Sequence, residues 1–221
     1  MIELGFGLIF LLNVGACLLD IDYHLIRGGV SESGQTTLLG VSSWVQYQSR
    51  ICTMLSVVLM TYMFESAGMD LNIYRLIGVI YLGSWVIGLI YLKSSNVHRF
   101  ISFIVLSGTT LVFRGFARKK IWYTTLYSRD KAFAYGFLLY TMFGFAVIAP
   151  FIFAKNYPNL RMTFALSAQL LNFGGSILAF TAVEPRYFKS LDSRKERNIS
   201  MALAMSRLYS LFFVSIALII I

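Results

Sequence analysis

An all-α, polytopic membrane helix bundle is the fold the sequence predicts, and three observations predict it. Hydrophobic residues make up 57% of the 221 residues and charged residues only 13%, against about 25% charged in a soluble domain. The mean hydropathy is +0.71. Six clear apolar runs, 2–19, 38–64, 72–92, 133–154, 162–183 and 199–221, have the length to cross a hydrocarbon core of about 30 Å at about 1.5 Å per helical residue. The connections between them are short, so one transmembrane domain over 1–221 is expected, with no room for a separate soluble catalytic domain.

The first run reads as a span rather than a cleavable leader. Glu3 is its only early charge, and it has no basic region ahead of the apolar stretch. The second run holds no proline and places Arg50 at its middle. After the third run comes a marginal segment, 97–113, which is short and carries Ser102, Ser107, Gly108, Thr109 and Thr110. It is expected to lie at the interface or to re-enter rather than to cross. The last run contains a second arginine, Arg207. Cys17 and Cys52 both fall in apolar runs and read as packing residues, with no disulfide implied.

The net charge of +9 is concentrated in two connections. Arg114, Arg118, Lys119, Lys120, Arg129 and Lys131 lie in 114–132; Arg186, Lys189, Arg194, Lys195 and Arg197 lie in 184–200. Lys and Arg accumulate on the cytoplasmic side of membrane proteins. Both loops are therefore expected inside, with contact to anionic lipid head groups as their further use and no nucleic acid implied. Six crossings, with the N-terminus outside, give a stronger asymmetry of Lys and Arg than seven, with the N-terminus inside.

Three helices carry polar residues at helical spacing, which places them on one face. They are Ser43, Gln46, Arg50 and Thr53 in the second run; Gln169, Asn172 and Ser176 in the fifth; and Ser200, Arg207 and Ser210 in the last. Centring an arginine in hydrocarbon costs about 2.5–3.5 kcal/mol even on a lenient scale, so such residues are expected to face protein or a wet cavity. Few acids stand near Arg50 in the sequence, which suggests an anionic ligand. Arg50, Arg207, Gln46, Gln169 and Asn172 are thus candidate substrate-binding residues. Interhelical hydrogen bonding is the competing account of the amides, and snorkelling to the surface that of Arg207.

The segment Asp20-Ile-Asp-Tyr-His-Leu-Ile-Arg-Gly-Gly-Val30 is a dense polar cluster at a membrane boundary. Arg27 is a candidate phosphate ligand there; Asp20 and Asp22, with Glu184 further along, are candidate proton or cation coupling sites. An echo also links Asn13, followed by Ser49-Arg50, with Asn172, followed by Ser206-Arg207. Internal repeats of this kind build many transporters. Gly83, Gly88, Gly174 and Gly175 suit close helix contacts within a chain or in a homo-oligomer.

No Walker A motif, HExxH or nucleophile–base signature is present, and His24 and His98 are the only histidines. The sequence therefore predicts no enzyme, no metal site and no cofactor. A lipid-modifying enzyme built on Asp20, Asp22 and His24, or a non-transport membrane scaffold subunit, are the competing classes.

The segment Asn172-Phe-Gly-Gly-Ser-Ile-Leu-Ala-Phe-Thr-Ala-Val-Glu-Pro185 resembles a late span of the Amj family of bacterial lipid II flippases. That span runs Asn-Gly-x-Ala-Thr-Ile-Leu-Leu and ends Val-Asp-Pro. The positions that agree are Asn172, Ser176, Ile177, Leu178, Val183, Glu184 (Asp in the family) and Pro185. The cluster from Asp20 to Val30 is similar to an early segment of the same family. The resemblance implies a multi-pass protein of the bacterial cytoplasmic membrane that moves lipid II, an undecaprenyl-pyrophosphate-linked precursor, in peptidoglycan, cell-wall and cell-shape biology. Another polyprenyl-linked glycolipid is the alternative cargo. An arginine-lined groove suits either, because guanidinium binds phosphate through charge-assisted bidentate hydrogen bonds.

Overall fold

The computed structural model of the chain describes residues 2–28, 37–67, 72–94, 131–192 and 196–220. The helices are α1 (Ile2–Arg27), α2 (Thr37–Ala67), α3 (Asn72–Lys93), α4 (Lys131–Asn156), α5 (Arg161–Leu178), α6 (Glu184–Asp192) and α7 (Glu196–Ile220). A 3-10 turn, Pro158–Leu160, precedes α5, and a π turn, Ala179–Val183, joins α5 to α6. No strand occurs among the described residues. The expected interfacial segment 97–113 lies outside them, as does nearly all of the basic loop 114–132.

Among the described residues, four helices are both long and apolar enough to cross a membrane, which supports four of the six expected spans: Leu4–Arg27, Tyr74–Lys93, Lys131–Phe153 and Asn198–Ile220. The other two runs fall short for physical reasons. At 31 residues α2 has ample length, but Ser42, Ser43, Gln46, Gln48, Ser49 and Arg50 dilute its hydropathy. The 18 residues of α5 are long enough, but Arg161, Thr163, Ser167, Gln169, Asn172 and Ser176 dilute their hydropathy. The outer surface nevertheless suits lipid. Leu4, Phe180 and Ile220 are 80%, 74% and 77% exposed, and large apolar surface of this kind signals a membrane or a partner rather than water.

Close contacts set the directions of the helices. Asn13 on α1 donates to Ser56 on α2 at 2.8 Å, and Ser49 donates to the carbonyl of Ala16 at 3.1 Å, so α1 and α2 are antiparallel. Tyr74, at the start of α3, donates to the carbonyl of Phe151, near the end of α4, at 2.7 Å. Tyr91, at the other end of α3, donates to Asp22 near the end of α1. Consequently α1 and α3 finish at the end of the bundle where α4 and α7 begin. The most enclosed span, α7, packs on α1, α3, α4 and α6. Ala204, Leu208, Leu211, Val214 and Leu218 meet Ile9, Cys17 and Ile21 of α1 and Ile77, Tyr81 and Tyr91 of α3 in the main core. Gly88 makes the α1–α3–α7 crossing possible. A Cβ there would stand 2.5 Å from Leu208 Cδ2 and 3.2 Å from Cys17 Sγ.

The π turn has a chemical cause. Pro185 has no N–H, so it cannot close the ordinary bond to the carbonyl four residues back. Instead the Glu184 N–H bonds the carbonyl of Ala179, five residues back. Proline is tolerated in the first turn of α6, where its N–H would be unsatisfied anyway. Beyond the turn α6 lies at the end of the bundle where α4 and α7 begin, with Val183, Tyr187 and Ser190 buried and Pro185, Phe188 and Lys189 exposed. Buried Val183 and Tyr187 join Ala132 and Leu139 of α4 and Ile199, Ala202 and Leu203 of α7 in a second core.

Candidate functional site

Nearly all the buried charge gathers at the end of the bundle where α1 finishes. The side chain of Arg27, in the last turn of α1, is 6% exposed. Its Nη1 donates to Glu184 Oε1 at 2.8 Å and its Nη2 to Glu184 Oε2 at 2.7 Å. This bidentate fork is the strongest common arrangement of guanidinium on an oxyanion. Nη1 also donates to the hydroxyl of Tyr23, one turn earlier. The guanidinium lies 3.6 Å from the centroid of the Tyr187 ring, and the Tyr187 hydroxyl donates to the Arg27 carbonyl at 2.8 Å. Glu184 and Tyr187, three apart on α6, share the face turned to Arg27.

A second pair lies about two turns deeper, roughly 10 Å along α1 from Arg27. Arg207 Nε donates to Asp20 Oδ2 at 2.7 Å, with side chains 14% and 17% exposed. The other oxygen of Asp20 accepts from Ser49 on α2. The two pairs are joined by rings. Tyr23 and His24 meet edge-on with centroids 4.7 Å apart. His24 Nε2 shares a hydrogen bond with Tyr140 of α4, and Arg207 lies 5.3 Å from the Tyr140 ring centroid. A continuous polar path thus runs from Glu184 to Ser49 through the bundle.

Three buried polar atoms on α1 have no partner among the described residues: Asp22 Oδ2, His24 Nδ1 and Arg27 Nε. Each such atom costs about 1–3 kcal/mol, and all three fall within the last two turns of one helix.

Of the sequence candidates, Asp20, Asp22, Arg27, Glu184 and Arg207 come together here. Arg207 points into the bundle towards Asp20 rather than snorkelling outward, because α7 sits at the centre. Arg50 is exposed and Gln46 half-buried, both outside this cluster, and the neighbouring Ser49 takes the place against Asp20. Gln169 and Asn172 are exposed as well. The packing of α5 is decided instead by Gly174 and Gly175, which admit Met142 and Phe143 of α4 to where side chains would otherwise stand. The scarcity of acids also resolves differently: the boundary acids Asp20 and Glu184 are taken by Arg207 and Arg27. The two halves of the internal echo meet, but unevenly, since Ser49 of one Ser-Arg pair and Arg207 of the other share Asp20.

Tyr91, Tyr140 and Tyr187 belong to the site and were not singled out from the sequence. For Tyr140 the signal was a hydroxyl deep in an apolar segment, which seldom goes without a partner; Tyr91 stands at the end of its apolar run and Tyr187 in the basic connection 184–200, where no such signal exists. Asp20, Asp22 and His24 each turn to a different group, namely Arg207, Tyr91 and Tyr140. No three His, Cys, Asp or Glu side chains converge to hold a metal among the described residues. The two segments that carry the family resemblance, 20–30 and 172–185, touch each other at the Arg27–Glu184 pair. No family model, curated protein or solved structure matches the chain.

Proposed function

We propose that the chain is a flippase for a polyprenyl-pyrophosphate lipid, of which lipid II is the leading example, in the bacterial cytoplasmic membrane. The observation that carries this reading is the fork between Arg27 and Glu184. The guanidinium is almost enclosed, whereas the carboxylate that fills its fork is 26% exposed. A carboxylate in that position occupies the same pair of donors that a phosphate would take. Arg207, on Asp20, offers a second station deeper in the bundle. With each arginine holding its own acid, the empty protein keeps both charges neutralised, and the pyrophosphate exchanges with Glu184 and then with Asp20. The polyprenyl tail stays in the lipid beside the bundle. Asp20, Asp22 and Glu184 are the acids available to take up and release a proton as the exchange proceeds.

In this reading α2 and α5 complete six crossings. Each runs antiparallel to a spanning neighbour, α1 or α4, and each exposes apolar side chains outward: Ile51, Met54 and Val58 on α2, and Leu170, Phe173 and Ile177 on α5. The polar end of the bundle then faces the cytoplasm, where the basic segment 184–200 belongs. The reading rests on Arg27 and Arg207 rather than on Arg50, Gln46, Gln169 and Asn172, which the structure leaves outside the cluster.

The test is complementation of a bacterium depleted of its lipid II flippase, paired with transfer of a labelled polyprenyl pyrophosphate across vesicles holding the purified protein. Arg27→Gln and Arg207→Gln are expected to abolish both while the protein remains at normal levels in the membrane. Wild-type protein that moves no labelled lipid, or full activity in both variants, overturns the proposal.

A further inference from the structure

Asp20, His24 and Arg27 follow one another on α1 at spacings of four and three, so they form one stripe along the helix. His24 stands about 4.5 Å along the axis from Arg27 and about 6 Å from Asp20. Because Arg207 is bonded to Asp20, His24 lies between the two arginines. The residue is 3% exposed. Its Nε2 shares a hydrogen bond with the Tyr140 hydroxyl. The two rings meet edge-on with centroids 5.8 Å apart, and Arg207 lies beside the same Tyr140 ring.

Two nitrogens on this stripe, His24 Nδ1 and Arg27 Nε, are buried with no hydrogen-bond partner among the described residues. The position of His24 gives the first of them a use. A neutral imidazole carries one ring hydrogen. Where the Tyr140 hydroxyl donates to Nε2, that hydrogen sits on Nδ1, which is then a donor in want of an acceptor. Guanidinium, imidazole and guanidinium in that order offer donors about once per helical turn. An anion crossing the roughly 10 Å of α1 between the arginine pairs with nothing on the way would be a buried charge without partners, the costliest state a polar group can occupy.

We infer that His24 is a third anion-binding residue, donating from Nδ1 to the phosphate of a lipid pyrophosphate as it passes between Arg27 and Arg207. The inference rests on the transport reading above and adds a station between the two that reading names. Tyr140 is a positioning residue here, since its hydroxyl fixes which ring nitrogen carries the hydrogen.

Asparagine and glutamine separate this role from simple bracing. In His24→Asn the amide takes the place of Nδ1 and the contact with Tyr140 is lost. In His24→Gln the amide reaches Tyr140 and the Nδ1 position is left without a donor. Binding of farnesyl pyrophosphate to the full-length protein in detergent, measured by titration calorimetry, is expected to weaken about tenfold or more in His24→Gln and no more than about threefold in His24→Asn, the scale of one hydrogen bond to a charged group. Farnesol, which lacks the phosphates, should not distinguish the three proteins. The reverse order of the two variants, or an unchanged affinity in His24→Gln, makes His24 a brace or leaves Nδ1 to a water molecule, and overturns the inference. So does a farnesol affinity that falls in parallel. Wild-type protein that binds no farnesyl pyrophosphate overturns the transport reading as well. Binding that Arg27→Gln abolishes and His24→Gln leaves intact overturns this inference alone. Should the His24 variants fail to fold, the native ring is read in their place. His24 and His98 are the only histidines, so 15N-histidine labelling of His98→Gln leaves one imidazole in the NMR spectrum. Its Nδ1 signal should move with farnesyl pyrophosphate and not with farnesol; a signal that saturating farnesyl pyrophosphate leaves in place overturns the assignment.

Discussion

Glu184→Gln removes one negative charge and leaves nearly everything else in place. In the native fork two hydrogen bonds, at 2.8 and 2.7 Å, join Glu184 to Arg27. Glutamine keeps one acceptor oxygen and turns an amide donor towards a guanidinium donor, so one bond is lost and one contact becomes repulsive. Breaking a fully buried pair by removing one partner costs about 3–5 kcal/mol. Here the lost carboxylate is only partly buried, at 26% exposure, and Arg27 keeps the Tyr187 ring, a contact worth up to about 2 kcal/mol when desolvated. The expected loss is therefore about 2–3 kcal/mol, or a fall in Tm of about 4–12 °C for a chain of this size. Thermal unfolding of purified protein in one detergent measures it. The decisive comparison is a cycle with Arg27→Gln and the double variant. With both charges gone no orphan remains, so the double variant should be more stable than the sum of the single losses predicts. A Tm for Glu184→Gln within about 1 °C of wild type, or strict additivity in the cycle, would refute the account of Arg27 as a buried charge held by Glu184.

The deeper pair should behave alike: Asp20→Asn is expected to lower stability by about 3 kcal/mol through the stranded Arg207, with part of the loss recovered in Asp20→Asn/Arg207→Gln. The same unfolding assay reads both. Glycine packing offers an independent check. Gly88→Ala should cost about 1–3 kcal/mol, because the new methyl meets Leu208 and Cys17 in a filled core. Gly7→Ala, which meets nothing within 4 Å, should be neutral or stabilise α1 by up to about 1 kcal/mol through helix propensity.

The helical spans were legible because a run of apolar residues is a local property, and α1, α3, α4 and α7 follow it closely. Stripes were only half legible. Helical periodicity says that Ser43, Gln46 and Arg50 share a face, but not which neighbour covers that face. On α7 the stripe turned inward, with Ser200, Ala204 and Ser210 buried, because that helix is surrounded. On α5 the glycines won the contact with α4 and left Asn172 outside. The partners of Arg27 and Arg207 lie 157 and 187 residues away in the chain, a separation at which no pattern of spacing carries information. The cluster at Asp20–Val30 was nonetheless visible as a density of polar residues where an apolar span ends.

Those long separations bear on how the protein is made. The N-terminal helix carries Asp20, Asp22 and Arg27 into the membrane early, while Glu184 and Arg207 are still unsynthesised. At about 5–20 residues per second, the wait is roughly 8–40 s. Throughout that interval the first helix holds its charges without their eventual counter-ions, so it must rest shallowly, shelter against the insertion machinery, or borrow a lipid head group until the last helix arrives. The helix that brings Arg207 thus completes the cluster: it is made after the other described helices and takes the middle position among them.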